Sequence, residues 1–202
     1  MDATATERAI LVSLSLGAQR ALLLASDHPE RVAGVVFIAP SLPLDASRAD
    51  RRRRLKAFLE PQPSDDGWAK YNGDYWRRDY RGFVEFFFGE CFSEAHSTKP
   101  TEDAVGWGLE TDPESLICST TAPRLHDRAE VIARCRRVQC PVLVIHGTDD
   151  RIRPHAIGRE LAELTGGRFA SIEAGGHLPN VRDPVFVNLL IRDFVHQVGG
   201  PA

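Results

Sequence analysis

Ala9 to Leu14 (AILVSL) is an almost continuous apolar run, the pattern of a strand buried on both faces. From Leu16 to Ser26 the apolar positions fall at helical spacing instead, Leu16 with Leu23 and Ala21 with Ala25, and His28-Pro29 marks the stop. Gly34 to Ala39 (GVVFIA) is a second buried strand, closed by Pro40. Strand, helix and strand make a βαβ unit, whose parallel crossover is right-handed. The pattern returns late in the chain. Pro141 to Gly147 (PVLVIHG) reads as a strand, His155 to Leu164 as an amphipathic helix, and Arg168 to Glu173 as a strand. Asp183 to Val198 is a helix opened by Asp-Pro, with an apolar stripe at Val187, Leu190, Ile191, Phe194 and Val198. These elements predict an α/β fold: a mostly parallel sheet of four strands with at least three helices on it.

Between Ser41 and Gln139 extended apolar runs vanish, and charge, aromatics and helical spacings take over. The segment reads as an insertion, which divides the chain into a core of residues 1–40 and 140–202 and a helical lid of residues 41–139. Its basic stretch RADRRRRLK (Arg48 to Lys56) reads as a solvated helix face. Trp68 to Phe92 holds ten of the sixteen aromatic residues, with Trp76, Tyr80, Phe83 and Phe87 at helical spacing. That concentration predicts the core of the lid, some of it walling an apolar pocket.

Composition narrows the function classes. At 202 residues, 43% hydrophobic and 26% charged, the chain suffices for one domain with a core. A net charge of −3 gives no broad positive field for nucleic acid or an anionic membrane surface. Cys91, Cys118, Cys135 and Cys140 form no C-x-x-C pair and have no histidine at zinc-finger spacing, so they read as reduced thiols and the protein as cytoplasmic. The apolar run from Ala9 to Gly17 follows Asp2 and Glu7 and lacks the basic flank of an export signal. No stretch reaches the roughly 20 apolar residues that span a bilayer.

Candidate chemistry sits where strands end. In SLSLG, Ser15 follows a buried strand and precedes a helix, with small residues, Ser13 and Gly17, two positions to either side. A nucleophile on a sharp strand-to-helix turn needs that crowding relieved, and here serine stands where the usual motif has its first glycine. The helix N-terminus, and the backbone N–H of Leu16, would then point to where an oxyanion forms. A serine needs a base, and the base needs an orienting acid. Asp150 lies just past the strand ending in His146, and His177 lies in EAGGHLPN, after the next strand, behind Gly175 and Gly176, which let the backbone turn tightly. All three emerge at carboxyl ends of parallel strands, where open α/β sheets place their sites. Asp149 is the nearest rival for the acid and Asp45 a more distant one. His28, His146 and His155 are alternatives to His177, without its glycine loop.

The segments LVSLSLGAQRALLLASDHPERVAGVVFIAP, CPVLVIHGTDDRIRP and EAGGHLPNVRDPVFVNLLIRDF together resemble the α/β-hydrolase family, of the lid-bearing type that includes small esterases and carbon-carbon bond hydrolases. The resemblance implies that Ser15 is the nucleophile, Asp150 the acid and His177 the base, acting on a small-molecule acyl substrate with no metal or organic cofactor. Serine at the turn argues against the dehalogenase and epoxide hydrolase branches, which use aspartate. The likeness begins at the strand before Ser15. The family's earlier strands, one of which neighbours that strand, and the loop giving a second oxyanion N–H have no counterpart in Met1 to Arg8. Ala9 to Leu14 is therefore expected at a sheet edge, covered by a second chain, a domain swap or the lid.

Overall fold

The computed structural model describes residues 1–44 and 51–200. In chain order, β1 (Ala9–Leu14), α1 (Gly17–Asp27) and β2 (Val32–Ile38) form the first βαβ unit. Then come α2 (Arg51–Leu59), α3 (Gly73–Arg78), α4 (Tyr80–Cys91), α5 (Thr98–Gly108), α6 (Pro113–Thr121) and α7 (Arg128–Cys135). The chain closes with β3 (Val142–Gly147), α8 (His155–Thr165), β4 (Arg168–Ile172), α9 (Pro179–Arg182) and α10 (Pro184–Gly199). The four strands form one parallel sheet in the order β1-β2-β3-β4. Leu14 is registered with Ile38, Ile38 with Ile145, and Gly147 with Ile172, so the carboxyl ends share one rim.

Alternation along the central strands divides the core. Val35, Phe37, Val142 and Val144 pack with buried residues of α1, α7 and α8, such as Leu22, Val131 and Leu161. Their neighbours Val36, Ile38, Leu143 and Ile145 face the other way, onto Val187 and Phe194 of α10. Both faces of β2 and β3 are therefore dry, which is why they read as unbroken apolar runs. Helix α10 begins as the Asp-Pro pair dictates: Pro184 fits the first turn and the Asp183 carboxylate accepts the Phe186 N–H.

Two expectations need correction. Strand β1 is not buried on both faces: Val12 is 52% and Leu14 36% exposed. It has one strand neighbour, and among the described residues the helices between β2 and β3 leave these side chains uncovered. Second, Trp76, Tyr80, Phe83 and Phe87 do not lie on one helix. Asp79 interrupts it by capping α4, accepting the Gly82 N–H with one carboxylate oxygen and the Tyr75 hydroxyl with the other. The aromatics still converge, Trp76 and Phe83 stacking at 4.3 Å in a cluster with Phe58, Tyr75, Val84 and Ile117. Asp45 and Arg48 to Asp50 lie outside the described residues, as do the side chains of Arg51 to Arg54, so most of the basic stretch does too.

Candidate active site

The chain makes its sharpest turn directly after β1. Ser15 has φ of 49°, a left-handed conformation that costs a non-glycine residue of order 1–3 kcal/mol. Two backbone bonds offset it: the Ser15 N–H donates to the Ile38 carbonyl, and the Ser41 N–H donates to the Ser15 carbonyl, both at 2.9 Å. A Cβ on Gly17 would meet the Ser13 Cβ at 3.6 Å, an ordinary contact, so a serine two positions before Ser15 fits without strain. Ser13 itself hydrogen-bonds back to the Val36 carbonyl. The Leu16 N–H donates to no acceptor among the described residues, and Leu16 lines the cavity over Ser15.

Asp150 accepts four N–H groups. Its Oδ1 takes the backbone N–H of Ile152 and of Arg153, each at 2.8 Å. Its Oδ2 takes His177 Nδ1 at 2.7 Å and His146 Nε2 at 2.9 Å. Burial pushes the carboxyl pKa up, but the hydrogen bonds from His146 and His177, the attraction to His177 and the Arg153 N–H outweigh it and hold Asp150 well below the usual carboxylate range. An ionised carboxylate only accepts, so the proton between Asp150 and His177 sits on Nδ1. That leaves the His177 Nε2 lone pair for Ser15, whose Oγ lies 2.9 Å away. The three residues are thus brought together, with His177 only 2% exposed.

The His177 loop is stitched from both sides. Toward β3, Asp149 N–H donates to the Gly175 carbonyl and Ala174 N–H to the Thr148 hydroxyl. A Cβ on Gly147 would lie 2.0 Å from that Gly175 carbonyl, so only glycine fits there. Toward the end of α4, His177 N–H donates to the Cys91 carbonyl and Gly176 N–H to Glu94 Oε1, both at 2.8 Å. Gly175 and Gly176 are expected to supply the tight turn, but the positive φ of the loop falls at Ala174 (53°). The two glycines make room instead: a Cβ on Gly176 would sit 2.5 Å from the Cys91 carbonyl.

The rival candidates lie elsewhere. Asp149 is exposed beside Arg151, His28 is exposed beside Glu30, and His155 bonds to the Ser171 hydroxyl. His146, considered only as a substitute base, is a fully buried second partner of Asp150. The signal was present in the chain, since a histidine inside a buried strand must find a polar partner. Cys91 and Glu94 carried no such signal, because their part depends on how α4 docks. Ser15 and Leu16 open into a cavity of about 720 Å³ with Phe58, Trp68, Tyr71 and Phe87 along its wall. No group of three or more histidine, cysteine or acidic residues is placed to hold a metal among the described residues, and no described helix is long and apolar enough to cross a membrane.

A parallel sheet carrying a serine on a left-handed turn after β1, with aspartate and histidine on the rim loops after β3 and β4, defines a hydrolase architecture. The model of the alpha/beta hydrolase family matches residues 2–188, and the chain belongs to that family. Among curated proteins it is 26% identical over 194 residues to the biotin biosynthesis bifunctional protein BioHC of Teredinibacter turnerae, covering 94% of this chain but only 33% of that one. Among solved structures it resembles a thermophilic esterase from Thermogutta terrifontis (TM-score 0.75, 22% identity, 98% of this chain and 68% of that one). It also resembles Est816, described as an N-acyl homoserine lactone degrading enzyme (TM-score 0.69, 22% identity, 96% and 70%). At these identities the structures show a shared fold.

Proposed function

We propose that this chain carries the reaction centre of a serine hydrolase that cleaves a carboxylic ester or related acyl bond. The observation that carries the reading is the unbroken hydrogen-bond line from Ser15 Oγ through His177 to Asp150. His177 Nε2 takes the Ser15 proton as Oγ attacks the acyl carbon, and Asp150 holds the ring and stabilises the imidazolium that forms. The Leu16 N–H, at the start of α1, donates to the oxygen that gains charge. The leaving alcohol departs with the proton from His177, and water, deprotonated by the same ring, releases the acid from the acyl-enzyme. Helices α2 to α6 act as a lid, while α7 packs on the sheet, and the aromatic wall favours an apolar acyl or aromatic group. The free thiols, with Cys91 and Cys135 buried, fit a reducing, cytoplasmic setting.

The second reading, a non-catalytic binding or assembly module of hydrolase fold, is favoured by the unpaired edge of β1 beside the candidate nucleophile. A fluorophosphonate probe separates the two. The hydrolase reading expects covalent labelling that Ser15→Ala abolishes. Absence of labelling, or labelling that survives the substitution, rejects it in favour of the module.

A further inference from the structure

Asp150 Oδ2 is shared by two imidazoles, and the acyl-transfer chemistry uses only one of them. The other, His146, lies wholly inside β3, and its Nε2 donates to Oδ2 because the ionised carboxylate can only accept. Its Nδ1 is buried and meets no hydrogen-bond partner among the described residues. The backbone of α8 presses on that edge of the ring: a Cβ on Gly158 would stand 2.4 Å from Nδ1. A proton on Nδ1 would be a buried donor with no acceptor, so the ring carries its single proton on Nε2. The arrangement costs stability, since one ring nitrogen is desolvated for nothing. A phenyl ring would fill the same space in the sheet without that penalty.

We infer that His146 is a positioning residue for the base: its Nε2–H fixes Asp150 Oδ2 at the point where that oxygen holds His177 toward Ser15. Two backbone N–H groups anchor Oδ1 alone, which leaves the carboxylate free to rock about its Cβ–Cγ bond. The His146 bond closes that freedom, so Oδ2 stays within hydrogen-bond reach of His177 Nδ1 and keeps the Nδ1–H tautomer. The role rests on the reading of Ser15, His177 and Asp150 as the reacting set, and one arm of its test is independent of turnover.

The test compares wild type with His146→Phe, which keeps the ring shape and removes the donor, and His146→Gln, whose amide N–H reaches the place of Nε2. Ester hydrolysis by His146→Phe is expected to fall in kcat by about 10–100-fold with KM within about twofold, the scale of a small misplacement of reacting groups. Its melting temperature is expected to fall only modestly, because the buried Asp150 carboxylate loses one of its four hydrogen bonds while the orphaned nitrogen is removed. His146→Gln is expected to recover kcat to within about fivefold of wild type. Nitrogen-15 spectra of the histidine rings are expected to show His177 as one Nδ1–H tautomer in wild type and as a mixture in His146→Phe. A His146→Phe protein that keeps wild-type kcat and ring spectrum overturns the inference. So does one that fails to fold, or whose loss Gln does not restore, since His146 would then serve packing alone. If wild type shows no Ser15-dependent turnover, the hydrolase reading fails, while the ring spectra still decide the role of His146.

Discussion

Replacing Asp150 with asparagine changes one atom and reverses a hydrogen-bond pattern that no rotation can repair. With the amide nitrogen in the place of Oδ2, it faces the His177 and His146 N–H groups that now approach to 2.7 and 2.9 Å. Turned over, it faces the Ile152 and Arg153 N–H groups, each at 2.8 Å. Either orientation sets donors against donors in a fully buried place. His177 escapes by moving its proton to Nε2, and the lone pair proposed to receive the Ser15 proton is gone. Loss of the correct tautomer in such a triad costs about 10⁴ in kcat, or about 5 kcal/mol of barrier. Two buried donors left unpaired cost about 1–3 kcal/mol each. For a domain of this size that lowers Tm by roughly 5–20 °C. Steady-state hydrolysis of a p-nitrophenyl ester, the rate of fluorophosphonate labelling and a thermal melt on Asp150→Asn read all three quantities. Turnover within tenfold of wild type, with an unchanged melt, would refute the assignment of Asp150 and the geometry behind it.

Four further outcomes follow from the same contacts. Gly147→Ala drives a methyl group into the Gly175 carbonyl and is expected to destabilise the fold by at least about 3 kcal/mol, read as a drop in urea midpoint. Glu94→Ala frees the Gly176 N–H and is expected to cost about 1–3 kcal/mol and lower kcat more than it raises KM, whereas Glu94→Gln keeps an acceptor and behaves as wild type. Because the folded-state pKa of Asp150 is depressed, its contribution is complete above the unfolded carboxylate pKa of about 4 and is lost as pH falls through the lower folded value. The stability gap between wild type and Asp150→Asn, measured by urea unfolding at neutral pH and at about pH 2.5, is therefore expected to narrow in acid. Finally, the exposed edge of β1 is expected to draw wild-type chains together, and Val12→Lys to return them to monomers in sedimentation velocity; a monomeric wild type contradicts this.

The sheet was legible because β2 and β3 are dry on both faces, so burial wrote itself into GVVFIA and VLVIH as unbroken apolar runs. The meeting of Ser15, Asp150 and His177 was legible because each follows a strand end, and parallel strands bring such ends to one rim. The misreadings share a cause. Whether Val12 is covered depends on what lies beside β1, and whether Trp76 and Tyr80 continue one helix depends on a cap made by Asp79. Neither is a property of spacing. The glycines before His177 were rightly singled out for the wrong reason, since Gly175 makes room for Ile172 and Gly176 for a carbonyl of Cys91 that arrives from 85 residues away in the chain. His146 passed as a spare base because its partner was already assigned to another ring.

The strand order has a consequence for how this protein fails. The sheet has two outer strands, but the loop after β4 that carries His177 is pinned to the loop of Asp150 and to the end of α4, whereas Ser15 ends β1, an outer strand hydrogen-bonded to β2 alone. Warming should fray that border first and carry the hydroxyl out of reach while the imidazole and carboxylate stay paired. Inactivation would then precede melting, and its reversal on cooling would require only a few residues to rejoin Val32–Ile38.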